Sequence, residues 1–483
     1  MDWDRGKLSS VPCKGGLILA GDDRIERFCE DTMMRGSPDA VLVARDEQEC
    51  REALIYCNAE EIPVTFCGAQ TSMTGASVAM DGLIISTEKL GGVIDIGMED
   101  GQPVVVVRSG TIVADLQKAV ADAGYFYPVA PTSRDECSIG GNINTNATGE
   151  DSYKYGPVRH YVKRLEIMLS EGSTRQLARE PGERPSRERN RAGYFMGWRN
   201  PIDLIVGSEG TLAFVSQIAL SLLPPCGPFF AALIPLPSND AALKFVMQLA
   251  TGKAGLSART LELVDSGALK LMRTAAGFPN LPDAAGALLY VKQEFGDEAE
   301  RDELLGRWYE AALPFATAGL ADNILIAQTR EEQEGFRLWR HRIPEAANEI
   351  GHGFWPNGGG KVGSDWWVPI ERIAEMMAFF YREALATGLQ HMGYAHIGAG
   401  HPHTNILAPG PEDKQRALEV LRKCCRKAVE LGGGVAGEHG IGKLHTDLLS
   451  IQHGAAIIDQ MKSWKREYDP NWILGRGTIF PEA

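Results

Sequence analysis

The chain has 483 residues, more than a single hydrophobic core usually serves, and this length predicts two or three domains. Hydrophobic residues make up 44% of it and charged residues 23%, a composition typical of soluble globular proteins. The formal net charge of −14 argues against nucleic acid and anionic membrane as general partners, although a local basic patch stays compatible with an anionic substrate or cofactor.

The N-terminal sequence and the cysteine spacing indicate in which cell compartment the protein is expected. The opening stretch MDWDRGKLSSVPCKGG lacks the apolar run of a signal peptide, and no later apolar run reaches the ~18 residues of a membrane span. We therefore expect a cytoplasmic protein with no integral membrane segment. Nine cysteines without CxxC spacing indicate reduced, structural thiols, and Cys50 and Cys57 are predicted to be buried small hydrophobic residues.

The first third of the chain is predicted to mix strands and helices. Asp46 with Glu49 three residues later starts a helix, and a second helix runs from Ile112 to Ala123 and is closed by Gly124. Apolar or β-branched runs predict strands at 40–44, 63–67, 82–86 and 103–110.

Three loops rich in glycine and small hydroxyl residues interrupt this region: CGAQTSMTGASV (67–78), the segment 131–162 and VGSEGTLAFV (206–215). Glycines let backbone N–H groups converge on an anion, and hydroxyls add further donors. Three such loops in one half of the chain predict a nucleotide-like cofactor with a pyrophosphate bridge.

Pro224, Pro225 and Pro228 mark a predicted domain boundary. Beyond it, a β-α-β-β-α-β order predicts a ferredoxin-like sheet with helices on one face. The predicted strands are 229–236, 258–264, 286–295 and 323–328, and the predicted helices are 239–250 and 297–316.

A helix from Asp413 to Glu430 is predicted near the end of the chain. The motif GGGVAG (432–437) fits GxGxxG, but it follows this helix, whereas the dinucleotide fingerprint follows a strand and opens a helix. The sequence therefore argues against a Rossmann domain.

The stretch HIGAGHPHTN (396–405) holds three histidines among small residues. Zn²⁺ and Mn²⁺ bind imidazole nitrogen and carboxylate oxygen, and Glu438 follows in a second loop. An open site of His396, His403 and Glu438 is one interpretation, and histidines in an ordinary solvated loop are the other.

These motifs carry a family resemblance that runs from about Asp39 to the end. PVTFCGAQTSMTG, SIGGNINTNATG with KYGPVRHYV, and GSEGTLAFV resemble the FAD loops of the vanillyl-alcohol oxidase type of FAD-binding fold. HIGAGHPHTN with GEHGIGKLH resembles the branch of FAD-linked D-lactate dehydrogenase, D-2-hydroxyglutarate dehydrogenase and the glycolate oxidase flavoprotein subunit. The resemblance implies an α+β fold: a two-subdomain FAD-binding domain (1–225), a ferredoxin-like α+β cap (226–437) and a C-terminal segment (438–483) that returns to the FAD domain.

The resemblance also implies the site residues. His396, His403 and Glu438 match metal ligands, His439 matches the general base, Arg342 matches the arginine that grips the substrate carboxylate, and Asn405 matches a substrate-side amide. Lys361 is a weaker match to a substrate-binding lysine, because its spacing to Asp365 is longer than the family's. The residues that match FAD-binding positions are Cys67, Gly68, Ala69, Gln70, Thr71, Ser72, Gly75, Ala76, Pro131, Thr132, Ser138, Ile139, Gly140, Gly141, Asn142, Thr145, Asn146, Gly149, Tyr155, Gly156, Glu209 and Gly210.

The sequence departs from the branch pattern HxGDGNLHxN at three positions, which are Ala399, His401 and Pro402 here. His401 puts an imidazole where the branch has an amide, and it is compatible with a metal ligand, a proton shuttle or a substrate-specificity contact. Arg337 and Arg340, close to Arg342, are expected to be surface charges.

The implied function is an FAD-dependent, metal-assisted dehydrogenase of a small D-2-hydroxy acid. Zinc or manganese is the expected metal, an electron-transfer flavoprotein, quinone or cytochrome the expected acceptor, and a homodimer the expected assembly. Three alternatives stay open: a 2-hydroxyacid or glycolate oxidase subunit, a flavoprotein that serves only as an electron-transfer or assembly partner, and a metallohydrolase that uses the His/His/Glu cluster to activate water.

Overall fold

The computed structural model describes residues 3–186, 188–252, 254–273, 279–317 and 319–481. The backbone contacts divide the chain into two compact units, each of which is described by itself. The first unit comprises Met1–Gly149, Gly156–Cys226 and Ala436–Ala483, and the second comprises Glu150–Tyr155 and Gly227–Val435.

The described strands are β1 (Ile18–Leu19), β2 (Ala40–Val43), β3 (Val64–Cys67), β4 (Leu83–Ser86), β5 (Val93–Glu99), β6 (Gln102–Arg108), β7 (Val162–Met168), β8 (Thr174–Ala178), β9 (Phe214–Ser221), β10 (Phe229–Leu236), β11 (Thr260–Val264), β12 (Ala287–Glu294), β13 (Leu325–Ala327), β14 (Gly360–Gly363), β15 (His391–His396) and β16 (His401–Ala408). The described α-helices are α1 (Glu47–Ala59), α2 (Val113–Asp122), α3 (Ile139–Thr145), α4 (Ser152–Tyr155), α5 (Pro201–Ile205), α6 (Asn239–Ala250), α7 (Ser266–Met272), α8 (Glu298–Ala312), α9 (Arg330–Gly353), α10 (Ile373–Leu385), α11 (Pro411–Glu430), α12 (Thr446–Gln452) and α13 (Ala455–Tyr468).

The first unit contains two sheets. In the four-stranded sheet, β2, β4 and β3 run parallel and β1 pairs antiparallel with β2. Helix α1 starts because the Asp46 carboxylate accepts a hydrogen bond from the Glu49 backbone N–H, and it buries Ala53 and Leu54 in the core that contains β2 to β4. The second sheet is antiparallel, in the order β5-β6-β9-β7-β8.

The last residues of the chain complete the four-stranded sheet. The Val64 N–H donates to the Ile473 carbonyl at 2.8 Å, and the Gly475 N–H donates to the Val64 carbonyl at 2.8 Å. Residues 473–475 thereby satisfy backbone groups at the edge formed by β3, and Ile473 and Leu474 are buried beside it.

The second unit is built on an antiparallel sheet of seven described strands, in the order β13-β10-β12-β11-β15-β16-β14. Its first four strands have the order of a ferredoxin-like sheet, in which the fourth strand lies beside the first and the third beside the second. The fold prediction is confirmed, but the sequence missed the short helix α7 that Asp265 caps between β11 and β12. The hairpin β15–β16 widens this sheet beyond the predicted four strands.

The two faces of this sheet differ in chemistry because side chains alternate along each strand. One face packs on α10 and α11 through apolar residues such as Val362, Phe380, Ile406 and Val420. The other face presents His396, His401 and His403 from β15 and β16 and Glu262 from β11, and α9 lies against this side. The polar candidates therefore come together because β-strand periodicity puts them on one face.

Most predicted elements of the ordered core agree with the structure. Helix α6 has the predicted bounds, α1 starts after Asp46 as predicted, and Cys50 and Cys57 are fully buried. Burial raises the pKa of both thiols to about 12, so they stay protonated. Among the described residues, no helix combines the length and the hydropathy needed to cross a membrane.

Candidate functional site

The first two glycine-rich loops lie against each other in the first unit. The first loop follows β3, and the second contains Ser138, which caps α3 by accepting a hydrogen bond from the Gly141 N–H at 3.2 Å. A Cβ on Gly68 would lie 2.6 Å from the Ser138 Oγ, and one on Gly140 would lie 2.7 Å from the Ser109 Cβ. Gly68 is required because the first two loops approach each other there more closely than a side chain permits, and Gly140 is required because α3 packs directly on Ser109.

The third loop joins the second loop through the backbone. The Gly207 N–H donates to the Ile143 carbonyl at 2.9 Å, and the Glu209 N–H donates to the Asn144 carbonyl at 2.8 Å. Glu209 has a left-handed backbone (φ 56°), which aims its carboxylate at a fourth loop. That carboxylate accepts hydrogen bonds from the N–H groups of Ile441 (2.9 Å) and Gly442 (2.7 Å).

These loops contain buried polar atoms for which the described residues supply no hydrogen-bond partner. The atoms are the Ser77 Oγ, the Asn144 Oδ1, the Asn146 Nδ2 and the Ser208 Oγ. Buried polar groups are normally hydrogen-bonded, so orphans in all three predicted loops indicate a missing polar ligand. Together with the close approach at Gly68 and Gly140, they fit a cofactor that carries phosphates and ring heteroatoms, as FAD does.

The predicted cofactor residues fall mainly in these loops. Gln70 has a left-handed backbone (φ 55°) and donates from its amide to the Glu30 carbonyl at 2.7 Å. Tyr155 belongs instead to the second unit, where its hydroxyl donates to the Glu294 carboxylate at 2.5 Å. Gly156 is the first residue after the chain returns to the first unit.

The fourth loop carries Glu438 and the predicted base His439. The Thr148 hydroxyl donates a hydrogen bond to the Glu438 carboxylate, and the His439 Nε2 lies 3.4 Å from the other carboxylate oxygen. Arg191 fixes the loop, since its guanidinium donates to the Asn146 carbonyl (2.8 Å and 2.9 Å) and to the Gly437 carbonyl. Arg191 is buried, and the sequence analysis missed this role.

The predicted ligands His396 and His403 lie in the second unit, on the hairpin β15–β16. His396 and His401 are directly paired in register, and the ring centroids of His396 and His403 are 5.3 Å apart. The turn passes through Gly400 (φ 67°), where a Cβ would lie 2.0 Å from the Val368 carbonyl oxygen. The hairpin thus fixes these imidazoles, whereas Glu438 belongs to the first unit.

A buried carboxylate on the neighbouring strand orients His396. Glu262 accepts a hydrogen bond from the His396 Nδ1 with one oxygen, and with the other from the Arg340 guanidinium at 2.8 Å and 2.9 Å. With Nδ1 engaged in this way, Nε2 is the nitrogen by which His396 would bind a metal. Burial opposes the charge of Arg340, but Glu262 outweighs it and raises the pKa of the guanidinium.

Arg340 corrects one expectation, because it is 2% exposed and not a surface charge. Arg342, the predicted substrate arginine, has a side chain that is 54% exposed and pairs with Glu345 at 3.0 Å. Since α9 turns by about 100° per residue, two positions separated by one residue point in widely different directions.

The remaining predicted substrate residues are buried on the polar face. Lys361 is 6% exposed, and burial lowers its pKa to about 8. Asn405 donates from its amide to the His403 carbonyl at 3.0 Å. His401, whose role the sequence left open, lies with its Nε2 2.9 Å from the Asp365 carboxylate, and both residues are buried.

Sequence reasoning missed Glu262, Arg340 and Asp365 as parts of this face. A signal existed for Glu262, because an acidic residue at the centre of the apolar strand TLELV faces the same side as Thr260 and Val264. No comparable signal identified Asp365, since its position depends on the pairing of β14 with β16.

Two family models match the chain. A model of an FAD binding domain matches residues 38–178, and a model of the C-terminal domain of FAD linked oxidases matches residues 230–479. Among curated relatives, the chain is 30% identical to glycolate oxidase subunit GlcD of Bacillus subtilis (92% of this chain, 89% of the relative). It is 27% identical to a D-lactate dehydrogenase of Anaerostipes hadrus (96% and 94%) and 28% identical to a D-2-hydroxyglutarate dehydrogenase of Xanthomonas citri pv. viticola (94% and 92%).

Solved structures resemble the whole chain at low sequence identity. A 4-ethylphenol oxidase from Gulosibacter chungangensis has a TM-score of 0.71 at 15% identity and covers 99% of this chain and 97% of its own. A p-cresol methylhydroxylase has a TM-score of 0.69 at 12% identity, with coverage of 99% and 96%. These likenesses define the fold alone.

Proposed function

Because the chain belongs to the family of FAD-linked oxidases, we propose that it is an FAD-dependent dehydrogenase that oxidises a small D-2-hydroxy acid, of the D-lactate type, to the 2-oxo acid. The observation that carries the proposal is the meeting of the glycine-rich loops with the Glu438–His439 loop inside the first unit. Oxidation of a hydroxy acid by a flavin requires a flavin-binding site next to a base that accepts the hydroxyl proton. The names of three curated relatives support the substrate class.

The first unit would hold the cofactor. Backbone N–H groups of the first glycine-rich loop suit the pyrophosphate, and the orphaned Asn144, Asn146 and Ser208 suit the remaining polar groups of the cofactor. When bound, FAD supplies the acceptor of a hydride from the substrate Cα.

The residues that would act on the substrate have distinct roles in the proposal. His439 would take the hydroxyl proton while the hydrogen on Cα leaves with its electron pair as a hydride to the flavin. The C–H and O–H bonds break, and a C=O double bond forms. Arg342 grips the carboxylate with two parallel hydrogen bonds, and Lys361 and Asn405 add contacts on the polar face. Glu345 pairs with Arg342 in the structure and would have to release it on substrate binding.

A divalent metal, zinc or manganese, is the second proposed cofactor. The residues His396, His403 and Glu438 offer the imidazole and carboxylate donors that such ions prefer, and Glu262 holds His396 in the tautomer suited to coordination. When bound, the metal would lower the pKa of the substrate hydroxyl. An electron-transfer flavoprotein, a quinone or a cytochrome is the proposed acceptor for the electrons.

An anaerobic spectral titration tests the proposal. The protein, reconstituted with FAD, is titrated with D-lactate, D-2-hydroxyglutarate, glycolate and D-malate, and flavin absorbance is followed before and after chelation. We expect at least one acid to bleach the flavin and chelation to slow bleaching. A protein that binds no FAD would favour the metallohydrolase, and a flavin that no acid bleaches would favour a role limited to electron transfer or assembly.

Two variants make the titration specific to the proposed base. In His439→Gln the flavin is expected to bleach at least about 100-fold more slowly than in the wild type, because proton transfer by a positioned side chain contributes about 10²–10⁴-fold. His453→Gln is the matched control, since His453 lies in the same C-terminal segment and bonds only structurally, to the Ala192 carbonyl at 3.0 Å. Rapid reoxidation by O₂ after bleaching would favour the oxidase over the dehydrogenase.

A further inference from the structure

Three buried side chains of the second unit, Asp365, His401 and His403, bring their potential ligand atoms within 4.8 Å of one another. The Nε2 of His401 lies 2.9 Å from the Asp365 Oδ1, and the ring centroids of His401 and His403 are 4.7 Å apart. All three residues are less than 9% exposed. We propose that Asp365, His401 and His403 bind a divalent transition-metal ion of the zinc class.

The chemistry of the cluster suits such an ion. Two neutral imidazoles and one carboxylate are a donor set that Zn²⁺ accepts, and they leave at least one position for water or substrate. Ligand atoms at 2.0–2.1 Å from a tetrahedral ion lie about 3.3 Å apart, so the 2.9 Å separation of the His401 and Asp365 atoms needs only a small adjustment.

The backbone holds the three residues in place. The Ser364 N–H donates to the Thr404 carbonyl at 2.9 Å, and the Thr404 N–H donates to the Ser364 Oγ at 3.2 Å. These bonds attach Asp365 beside β16, which carries His401 and His403 on the same face because they are two residues apart. A preformed cluster loses little conformational entropy on metal binding.

The site differs from the ligand set of the proposed function. It shares His403 with that set, and to this extent it rests on the proposed function, but it needs neither His396 nor Glu438. A neutral imidazole offers a lone pair on one nitrogen at a time, so His403 would serve one of the two ligand sets at a time. The new site follows from an imidazole at position 401, where the branch that the sequence resembles has an amide.

Zinc binding to the FAD-loaded full chain tests the inference. The protein is stripped with a chelator and dialysed against Zn²⁺, and bound zinc is measured by elemental analysis for the wild type and for His401→Asn, Asp365→Asn, His396→Asn and Glu438→Gln. His391→Asn is the matched control, since His391 lies on β15 and bonds to the Leu389 carbonyl at 3.1 Å. Flavin content and circular dichroism report folding of each variant.

We expect His401→Asn and Asp365→Asn each to weaken one zinc site by about 100-fold, the upper range for loss of a partner in a metal site, and His391→Asn to bind as the wild type does. His396→Asn and Glu438→Gln are expected to retain that site. The inference is wrong if folded His401→Asn keeps the zinc affinity and stoichiometry of the wild type, or if the wild type binds no zinc.

Flavin bleaching, measured on the same preparations, separates this inference from the proposed function. A wild type that is bleached by a hydroxy acid but holds no zinc at Asp365 and His401 contradicts the metal site and leaves the dehydrogenase standing. Zinc lost only from His401→Asn and Asp365→Asn, in a protein that no hydroxy acid bleaches, supports the metal site and contradicts the dehydrogenase.

Discussion

Glu262 lies fully buried between two cationic or potentially cationic partners, Arg340 and His396. Its carboxylate replaces the hydration that a buried guanidinium has lost, and it fixes the ring of a proposed metal ligand. A single side chain thus joins the helix α9 to two strands of the sheet. The stability of this region and the orientation of His396 depend on the same residue.

We predict that Glu262→Gln lowers the free energy of unfolding by about 3 kcal/mol or more, because breaking a buried pair leaves the Arg340 charge uncompensated. Urea unfolding followed by circular dichroism measures the change. Glu345→Gln is the control: it breaks the exposed pair with Arg342, and the expected change is within about 1 kcal/mol. Equal effects of the two substitutions would contradict the role given to Glu262.

Lys361 gives a prediction that depends on pH. Burial lowers the pKa of Lys361 from 10.5 to about 8. Below about pH 8 the side chain is charged in the folded state, and the burial of this charge lowers the free energy of unfolding. Lys361→Met should therefore raise the free energy of unfolding by up to about 3 kcal/mol at pH 7. The gain should shrink as the pH rises above 8 and vanish above about pH 10.5, where the lysine becomes neutral in both states.

Urea unfolding of the wild type and of Lys361→Met between pH 7 and pH 10.5 measures this difference. Lys118→Met is the control, because Lys118 pairs with Asp122 on the surface and its side chain is 78% exposed. A gain that stays constant across this pH range would mean that the charge of Lys361 does not cost stability in the folded protein.

The sequence predicted single residues best where a motif is local. His396, His401 and His403 fall within eight positions, and the structure places all three on the hairpin β15–β16, which the sequence did not predict. Glu262, Arg340 and Asp365 come from three other elements, and the sequence does not state which strands pair. The expectation that Arg340 is a surface charge was wrong because it ignored the possibility of a buried counter-ion.

At the scale of elements, loops rather than helices or strands form the cofactor side of the site. The helices and strands of the first unit hold four loops, and hydrogen bonds between these loops fix their separation. Glycine at position 68 is a geometric requirement for the approach of the first two loops, and glycine at position 140 is one for the packing of α3 on Ser109.

We predict that Gly140→Ala reduces the affinity for FAD by at least about tenfold, because a Cβ there would lie 2.7 Å from the Ser109 Cβ and 2.9 Å from the Ser109 carbonyl oxygen. Flavin per chain after purification and the fluorescence change on adding FAD to apoprotein measure the effect. Gly306→Ala is the control: no atom lies within 4 Å of that Cβ, and alanine in a helix should add about 0.5–1 kcal/mol of stability. Unchanged flavin content in Gly140→Ala would contradict the proposal that the glycine-rich loops bind FAD.

Element prediction succeeded where capping and periodicity agree. Ser238 caps α6, Asp46 caps α1, and both helices have the predicted starts. The ferredoxin-like order was predictable because the four strands β10 to β13 follow one another in the chain and lie next to one another in the sheet. The widening by β15 and β16 was not, because pairing of β11 with β15 joins residues more than 120 positions apart in the chain.

At the scale of the whole molecule, the fold of the vanillyl-alcohol oxidase type and the family resemblance are confirmed. The substrate, the metal and the electron acceptor stay predictions, since they depend on side-chain differences that a shared fold does not determine. A ligand that binds only the folded state stabilises the chain by an amount that grows with the logarithm of the ligand concentration relative to its Kd, so cofactor binding should be visible in unfolding experiments.

We predict that FAD at about 100 times its Kd raises the free energy of unfolding of the apoprotein by about 2.7 kcal/mol, measured as a higher thermal midpoint. Riboflavin at the same concentration is expected to have a much smaller effect, because it lacks the pyrophosphate that the first glycine-rich loop would bind. Equal stabilisation by the two compounds would contradict pyrophosphate recognition.

The contacts of residues 441–442 and 473–475 have a consequence for synthesis on the ribosome. Glu209 accepts hydrogen bonds from the backbone of Ile441 and Gly442, and residues 473–475 bond to the edge of β3, so both contacts form after these late residues have emerged. The first unit is therefore translated early but finished late, after all of the second unit has been made. A nascent chain stalled within residues 227–435 would carry an open strand edge, which makes it a natural client for chaperones until translation is complete.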